Sequence, residues 1–134
     1  MERLNMLTLI CGLPNAGKTT YSKQYNCALH QDEIGAVSKI IKMIEHKNYV
    51  VIEGYFGNRT ERNRVREAHN GYTKCIYLDI SVEESIERED RNRNPQILRN
   101  AARFFEPPTL DEGWDEIIII RGDNEQRINR QKQD

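Results

Sequence analysis

One short motif constrains this chain more than any other feature of its sequence. Residues 12–19 read Gly-Leu-Pro-Asn-Ala-Gly-Lys-Thr and fit the pattern G-x-x-x-x-G-K-[ST]. The glycines allow backbone N–H groups to turn inward around an anion, and a helix beginning directly beneath them adds its N-terminus. The motif follows an apolar run at residues 4–11, predicted as a strand, and opens a helix predicted from Lys18 to about residue 26. This strand–loop–helix order predicts that the loop binds the phosphates of a nucleoside triphosphate.

Two side chains of this phosphate loop (residues 12–19) have predicted roles beyond holding an anion. Lys18 can reach the β- and γ-phosphates, which also makes it a catalytic candidate, and the Thr19 hydroxyl can ligate Mg²⁺. The expected cofactors are therefore ATP and Mg²⁺. The residues predicted to bind the nucleotide are Gly12, Asn15, Ala16, Gly17, Lys18, Thr19 and Thr20.

Short apolar runs alternate with longer amphipathic stretches, a pattern typical of a parallel sheet covered by helices. Further strands are predicted at residues 27–30, 49–52, 74–80 and 115–121, and helices at 33–47, 60–69, 82–90 and 96–105. Ser81 and Glu84 resemble a capping box before the third of these helices. We expect an α/β fold with a five-stranded parallel sheet flanked by helices, in one domain over residues 1–122. Residues 123–134 are polar and are predicted to form a frayed tail.

The composition limits which binding partners and which cellular compartment we expect for this protein. The 134 residues carry a net charge of −1, so a nucleic-acid partner would have to be held by a local basic patch. No apolar run approaches the roughly 20 residues that cross a bilayer, and the N-terminus lacks a signal-peptide layout. The cysteines, Cys11, Cys27 and Cys75, form no CxxC pair and are interpreted as reduced. We expect a cytoplasmic protein with no membrane contact and no obligate protein partner.

Two carboxylates follow predicted strands, where ligands of such sheets gather. Asp32 follows the second strand and is the predicted general base, which would accept the proton of an acceptor hydroxyl. Glu33 is its nearest competitor. Glu53 follows the third strand and is predicted to hold the acceptor or to order the water shell of Mg²⁺. Alternatively, Asp32 caps the next helix and Glu53 is a solvated loop carboxylate.

Arginines that could stabilise a transferring phosphoryl group occur in the 88–95 segment, where an Asn- and Pro-containing loop breaks a helix. We predict that this segment is a mobile lid and that Arg88 and Arg91 act in catalysis, with Arg93 beside them. The alternative is a solvated helix face. The carboxylates that would neutralise such a face are Glu84, Glu87, Glu89 and Asp90.

A second arginine group follows Glu53 and includes Arg59, Arg62, Arg64 and Arg66. Such a group could contact a phosphodiester backbone, and Arg59 and Arg62 are the predicted substrate-binding residues. Local ion pairs within the helix are the alternative. Their carboxylates would be Glu61 and Glu67.

The histidines and the tryptophan receive structural interpretations. His30, His46 and His69 show no metal-ligand spacing and are expected to be structural or exposed. Trp114 is expected to anchor the core or its edge rather than to stack on a base.

These residues together resemble the kinase module of the polynucleotide kinase family, within the adenylate-kinase-like group of P-loop kinases. Three segments carry the resemblance: GLPNAGKTT, then VIEGYF with a following Thr-Glu-Arg, and FFEPPTLDEGW at residues 104–114. The resemblance implies a P-loop kinase fold and transfer of the ATP γ-phosphate to a nucleic-acid 5′-hydroxyl. Asp32 matches the catalytic aspartate and residues 88–93 match the lid. The chain departs from the family in having no arginine shortly after Asp32, Glu53 in place of an aspartate, and no DxDGT phosphatase motif.

Several functions stay open at this point. The first is a kinase acting on nucleic acid, most simply on a polynucleotide 5′-hydroxyl. Alternatives are a kinase of a hydroxymethylated base in DNA, such as 5-hydroxymethyluracil, and a kinase of a nucleoside, a sugar or another small molecule. A nucleotide-binding module without phosphotransfer belongs to a different class. Asp32 discriminates against that last class, because a binding module needs no base aligned with an acceptor.

Overall fold

Six strands form one sheet in the computed structural model, which describes residues 5–26 and 28–129. The strands are β1 (Met6–Gly12), β2 (Leu29–His30), β3 (Tyr49–Glu53), β4 (Tyr72–Leu78), β5 (Glu116–Arg121) and β6 (Asn124–Asn129). Their order across the sheet is β2-β3-β1-β4-β5-β6. The first five in sequence run parallel, and β6 runs antiparallel to β5. The predicted α/β fold class is confirmed.

Helices connect the parallel strands. They are α1 (Lys18–Ser22), α2 (Gln31–Ile34), α3 (Val37–Ile44), α4 (Arg59–Glu67), α5 (Val82–Glu87) and α6 (Pro95–Phe104), and a 3₁₀ turn spans Leu110–Glu112. The predicted helix over residues 33–47 is divided, because Gly35 has a φ of +93° and interrupts it between α2 and α3. The capping box of Ser81 and Glu84 is present at the start of α5. Cys27, at the start of the predicted second strand, lies outside the described residues.

The central strand β1 is buried on both faces of the sheet. Leu7, Leu9 and Cys11 pack in one hydrophobic cluster, and Ile10 packs in another, since successive side chains of a strand alternate between faces. Trp114 belongs to the first cluster and is fully buried, in agreement with its predicted role as a core anchor. A central strand covered on both sides carries its C-terminal end, and therefore the phosphate loop, on a rigid support.

A buried ion pair ties α4 to the segment before β5. The Arg62 guanidinium donates to both carboxylate oxygens of Glu112, at 3.1 Å and 2.8 Å, and to the Phe56 carbonyl oxygen at 2.7 Å. The Trp114 indole N–H donates to Glu112 at 3.0 Å. Neither charged side chain of the pair is exposed to solvent. The prediction that Arg62 contacts a substrate is therefore corrected, because a fully buried guanidinium cannot reach a phosphodiester backbone.

The sixth strand was not predicted. Residues 123–134 were expected to form a frayed tail, but residues 124–129 form β6 along the whole of β5, with Arg121 opposite Asn124 and Glu116 opposite Asn129. Residues 130–134 of that expected tail lie outside the described residues. Arg127 Nη1 lies 3.0 Å from a Glu116 carboxylate oxygen. Within the described residues, no helix is long and apolar enough to cross a membrane.

Candidate active site

The phosphate loop leaves the C-terminal end of β1 and enters α1, as the motif predicted. Two of its positions require glycine. A Cβ on Gly12 would lie 2.8 Å from the Leu78 carbonyl oxygen of β4, and Gly17 has a φ of +94°, which other residues rarely adopt. Asn15 also has a positive φ, 68°, a conformation that asparagine tolerates better than most residues. The loop therefore wraps closely around the end of the sheet.

Lys18 is held against its own loop. Its ammonium donates to the carbonyl oxygens of Gly12 at 3.0 Å and Leu13 at 2.7 Å. Burial lowers the pKa of Lys18, and the nearby negative charges of Glu53 and Asp32 oppose that shift. The site thus places a partly desolvated cation at its centre.

A cavity of about 310 Å³ opens over the phosphate loop and gathers most of the predicted site residues. Its lining comprises Pro14, Asn15, Gly17, Lys18, Thr19, Thr20, Asp32, Glu53, Arg88, Asp90, Arg91 and Arg93. Gly12 lies buried beneath it, and Ala16 lines a neighbouring cavity. The predicted lysine, base and arginines therefore face one space.

Asp32 lies in the first turn of α2 and its side chain lines this cavity. The helix N-cap is His30 and no side chain caps it, so the alternative role of Asp32 as a cap is not observed. Glu33, the competing base, is exposed and is not part of the cavity lining. Of the two neighbouring carboxylates, Asp32 is the one positioned to meet a bound molecule.

Glu53 is buried, which excludes the alternative of a solvated loop carboxylate. One of its oxygens accepts from the Thr19 hydroxyl at 3.4 Å and lies 2.7 Å from Nδ1 of His30. A carboxylate oxygen only accepts, so the His30 Nδ1–H is the donor. Sequence analysis missed this role of His30. Sequence placed His30 at the end of the predicted strand 27–30, but its position opposite Glu53 depends on the register of β2 and β3, which sequence does not give.

The 88–95 segment is bonded to the phosphate loop through Asn15. The Asn15 amide donates to Glu89 at 2.9 Å and accepts from Arg93 at 3.1 Å, while Arg88 donates to the Asn15 carbonyl oxygen at 3.2 Å. Hydrogen bonds from Arg93 and then Asn15 lower the pKa of Glu89 to about 2. Glu89 was considered only as part of a solvated face, but it joins two sides of the cavity.

The donor set suits a magnesium ion. Thr19 supplies a hydroxyl oxygen beside the buried Glu53 carboxylate, and Asp32 and Asp90 add oxygens to the same lining. Hard oxygen ligands are those that Mg²⁺ prefers, and it commonly takes only one or two from the protein beside those of phosphates. Among residues 5–26 and 28–129, no group of three or more His, Cys, Asp or Glu side chains could hold a metal by itself.

The predicted substrate-binding arginines lie elsewhere. Arg59 is half exposed, its backbone N–H donates to Glu106 at 2.7 Å, and its guanidinium lies 3.5 Å from Glu112. Neither Arg59 nor the buried Arg62 belongs to the lining of the cavities that contain Asp32. Glu53 is therefore the one predicted substrate-binding residue that the structure brings to the phosphate loop.

Comparison with known proteins identifies the fold. No protein-family model and no curated protein matches the sequence. The structure is similar to that of a gluconokinase from Sinorhizobium meliloti, with a TM-score of 0.69 and 14% sequence identity over 80% of this chain and 78% of that chain. It is also similar to an unliganded sugar kinase from a Janibacter species, with a TM-score of 0.64 and 16% identity over 88% and 85% of the two chains. The chain shares the α/β fold of these two kinases, and neither of them is described as a polynucleotide kinase.

Proposed function

We propose that this protein is an ATP-dependent kinase that phosphorylates a hydroxyl group of a small molecule. One observation carries the proposal: Lys18, Asp32 and the arginines of the 88–95 segment face a single cavity over the phosphate loop. A binding module without phosphotransfer has no need of a carboxylate at the acceptor side of that cavity. The two similar structures are described as kinases of gluconate and of a sugar, which supports a small acceptor.

In the proposed reaction the acceptor oxygen attacks the γ-phosphorus of ATP. The bond from that phosphorus to the β–γ bridging oxygen breaks, ADP leaves, and the hydroxyl proton passes to the Asp32 carboxylate. Lys18 and the arginines would stabilise negative charge on the transferring group. Thr19 would hold Mg²⁺, which neutralises phosphate charge, while Glu53 would orient the Thr19 hydroxyl.

The neighbouring cavity that Ala16 lines offers a place for the nucleobase. It has a volume of about 390 Å³, lies beside the phosphate loop and has Ala16 and Gly17 in its lining. Leu78, Ile80 and Ile120 give it an apolar wall suited to a flat ring. Arg88 lines both this cavity and the cavity over the phosphate loop. The triphosphate of a nucleotide whose base bound here would therefore lie over the phosphate loop.

A polynucleotide acceptor has less support than a small one. The contact predicted from Arg62 to a phosphodiester backbone is excluded by burial, and Arg59 lies outside the Asp32 cavities. The chain has a net charge of −1, which provides no general attraction for nucleic acid.

The test is a phosphotransfer assay with γ-labelled ATP and Mg²⁺, comparing wild type with Asp32→Asn. We expect kcat to fall by about 10²–10⁴-fold, the usual contribution of a general base. Glu33→Gln is the matched control, because it removes an adjacent carboxylate outside the cavity, and it should retain wild-type kcat. Equal activity in Asp32→Asn and wild type would overturn the proposed mechanism.

A further inference from the structure

A second cavity adjoins the phosphate site and shares no lining residue with the nucleobase cavity. Its volume is about 440 Å³, and Lys18, Asp32 and Glu53 line it as they line the first. A molecule bound here would reach the proposed base directly. Because the two spaces share these three side chains, the second cavity is continuous with the site of phosphoryl transfer and is the natural place for the acceptor.

The outer wall of this cavity is one face of helix α6. Ile97, Ala101 and Phe104 line it at positions i, i+4 and i+7, which lie on the same side of a helix. Ile97 is 54% exposed and Phe104 is 65% exposed, high values for large apolar side chains. Two exposed apolar groups on one cavity wall mark a surface that a ligand can cover.

This wall suits a flat ring better than a sugar. Aliphatic and aromatic side chains cannot hydrogen-bond the hydroxyls of a polyol, so hydroxyls that faced Ile97 and Phe104 would have no partners on this wall. Tyr55 also lines the cavity, but its hydroxyl already donates to the Ala101 carbonyl oxygen at 2.6 Å. Asn100, in the same lining, provides an amide that can donate to and accept from the edge of a heterocycle.

We propose that the acceptor is an alcohol carrying a flat heteroaromatic ring, the chemistry of a nucleoside. The ring packs on Phe104 and Ile97, Asn100 contacts its edge, and the hydroxyl lies toward Asp32. This inference rests on the proposed kinase function and specifies its substrate. The hydroxyl oxygen bonds to the γ-phosphorus, ADP leaves and Asp32 receives the proton, so the products are ADP and a nucleoside monophosphate.

The experiment combines transfer and binding. Transfer of label from ATP is measured to free nucleosides, to 5′-hydroxyl oligonucleotides, and to gluconate and hexoses, and nucleoside binding is measured by calorimetry. Phe104→Ala should raise the nucleoside KM and Kd by about 5- to 150-fold, the loss expected for one base–aromatic stack. Phe104→Tyr should restore both constants. Tyr72→Ala is the matched control, because Tyr72 is an exposed aromatic residue at the opposite end of the strands, and it should change neither constant.

The outcomes separate the two proposals. Label on nucleosides with the expected Phe104 effect supports both. If label appears on gluconate or hexoses and nucleosides do not bind, the proposal of a ring-binding wall is overturned and the proposed kinase function stands. If nucleosides bind but no acceptor is labelled, the proposed kinase function is overturned and the proposal of a ring-binding wall stands. Transfer only to oligonucleotides, weakened by Phe104→Ala, retains the wall but replaces the small molecule with a strand end. If nucleosides do not bind and no acceptor is labelled, both proposals are overturned.

Discussion

Two groups of arginines in this chain look alike in sequence, yet each contains an arginine whose environment is the opposite of the other's. The α4 group includes Arg62, which is fully buried and donates hydrogen bonds to Glu112 and to the Phe56 carbonyl oxygen. The 88–95 group includes Arg91, which is exposed and lines the cavity over the phosphate loop. Both groups sit among nearby carboxylates, so local sequence does not distinguish them. What distinguishes them is the carboxylate that the fold brings from elsewhere.

The comparison separates stability from chemistry. Arg62 holds α4 to the segment before β5, whereas the 88–95 arginines meet a space that also contains Lys18 and Asp32. A change of Arg62 should therefore affect unfolding and leave the folded protein active. A change of an exposed arginine of the 88–95 segment, such as Arg91, should do the reverse.

Arg62→Ala should have the largest effect in this comparison. It leaves the buried Glu112 carboxylate without the guanidinium that donates to both of its oxygens, which costs about 3–5 kcal/mol of unfolding free energy. Urea unfolding measures the loss. Arg64→Ala, an exposed arginine on the same helix, should change stability by less than about 0.5 kcal/mol.

A double variant keeps this prediction testable if Arg62→Ala does not fold. Arg62→Met with Glu112→Gln removes both charges and retains an oxygen that can accept from the Trp114 indole. Its stability should lie between those of wild type and the single variant. An Arg62→Ala protein as stable as wild type would contradict a structural role for the buried pair.

Arg91→Gln should have the opposite effect, lowering activity without lowering stability. Removing one cation that faces the transferring phosphoryl group typically lowers kcat by about 10²–10³-fold. Its stability should stay within about 0.5 kcal/mol of wild type, because the side chain is exposed. Arg99→Gln, an exposed arginine of α6 outside the cavity linings, is the control and should retain full activity. Equal kcat values for the two variants would remove Arg91 from the proposed catalytic group.

Sequence analysis predicted the parts of the molecule that depend on local pattern. The phosphate loop was predicted from a motif in which the backbone conformation requires glycine. Buried parallel strands such as β3 and β5 were predicted from short runs of β-branched residues. It missed β6 because that strand is almost wholly exposed and carries no alternation of apolar and polar residues. It missed the partner of Arg62 because Glu112 is 50 residues away in sequence. Contacts of that kind are set by the fold.

His30 illustrates the same limit within the site. It contacts Glu53 only because β2 and β3 end side by side, which sequence spacing does not reveal. His30→Ala should raise the Mg²⁺ concentration needed for half-maximal activity by about 10- to 100-fold, as loss of an outer partner of a metal site typically does. His30→Asn retains a donor near the position of Nδ1 and should recover most of the effect. His46→Ala, at an exposed histidine of another element, should resemble wild type, and an unchanged Mg²⁺ dependence in His30→Ala would contradict the role.

The smallest expected effect concerns Glu89, which links the two regions of the active site through Asn15 and Arg93. Its pKa is lowered from 4.5 to about 2, so its stabilising contribution is fully present above pH 4.5 and is lost as pH falls toward 2. NMR titration of the Glu89 carboxyl should give a midpoint near the lower value, and Arg93→Gln should raise that midpoint toward the ordinary one. A wild-type midpoint near 4.5 would mean that the network does not hold in solution. Since Glu89 stays ionised throughout the neutral range, protonation does not break its hydrogen bonds with Arg93 and Asn15 there. The pair of Arg62 and Glu112 is closed to solvent, so no phosphate can reach Arg62, and only the 88–95 arginines are placed for the proposed reaction.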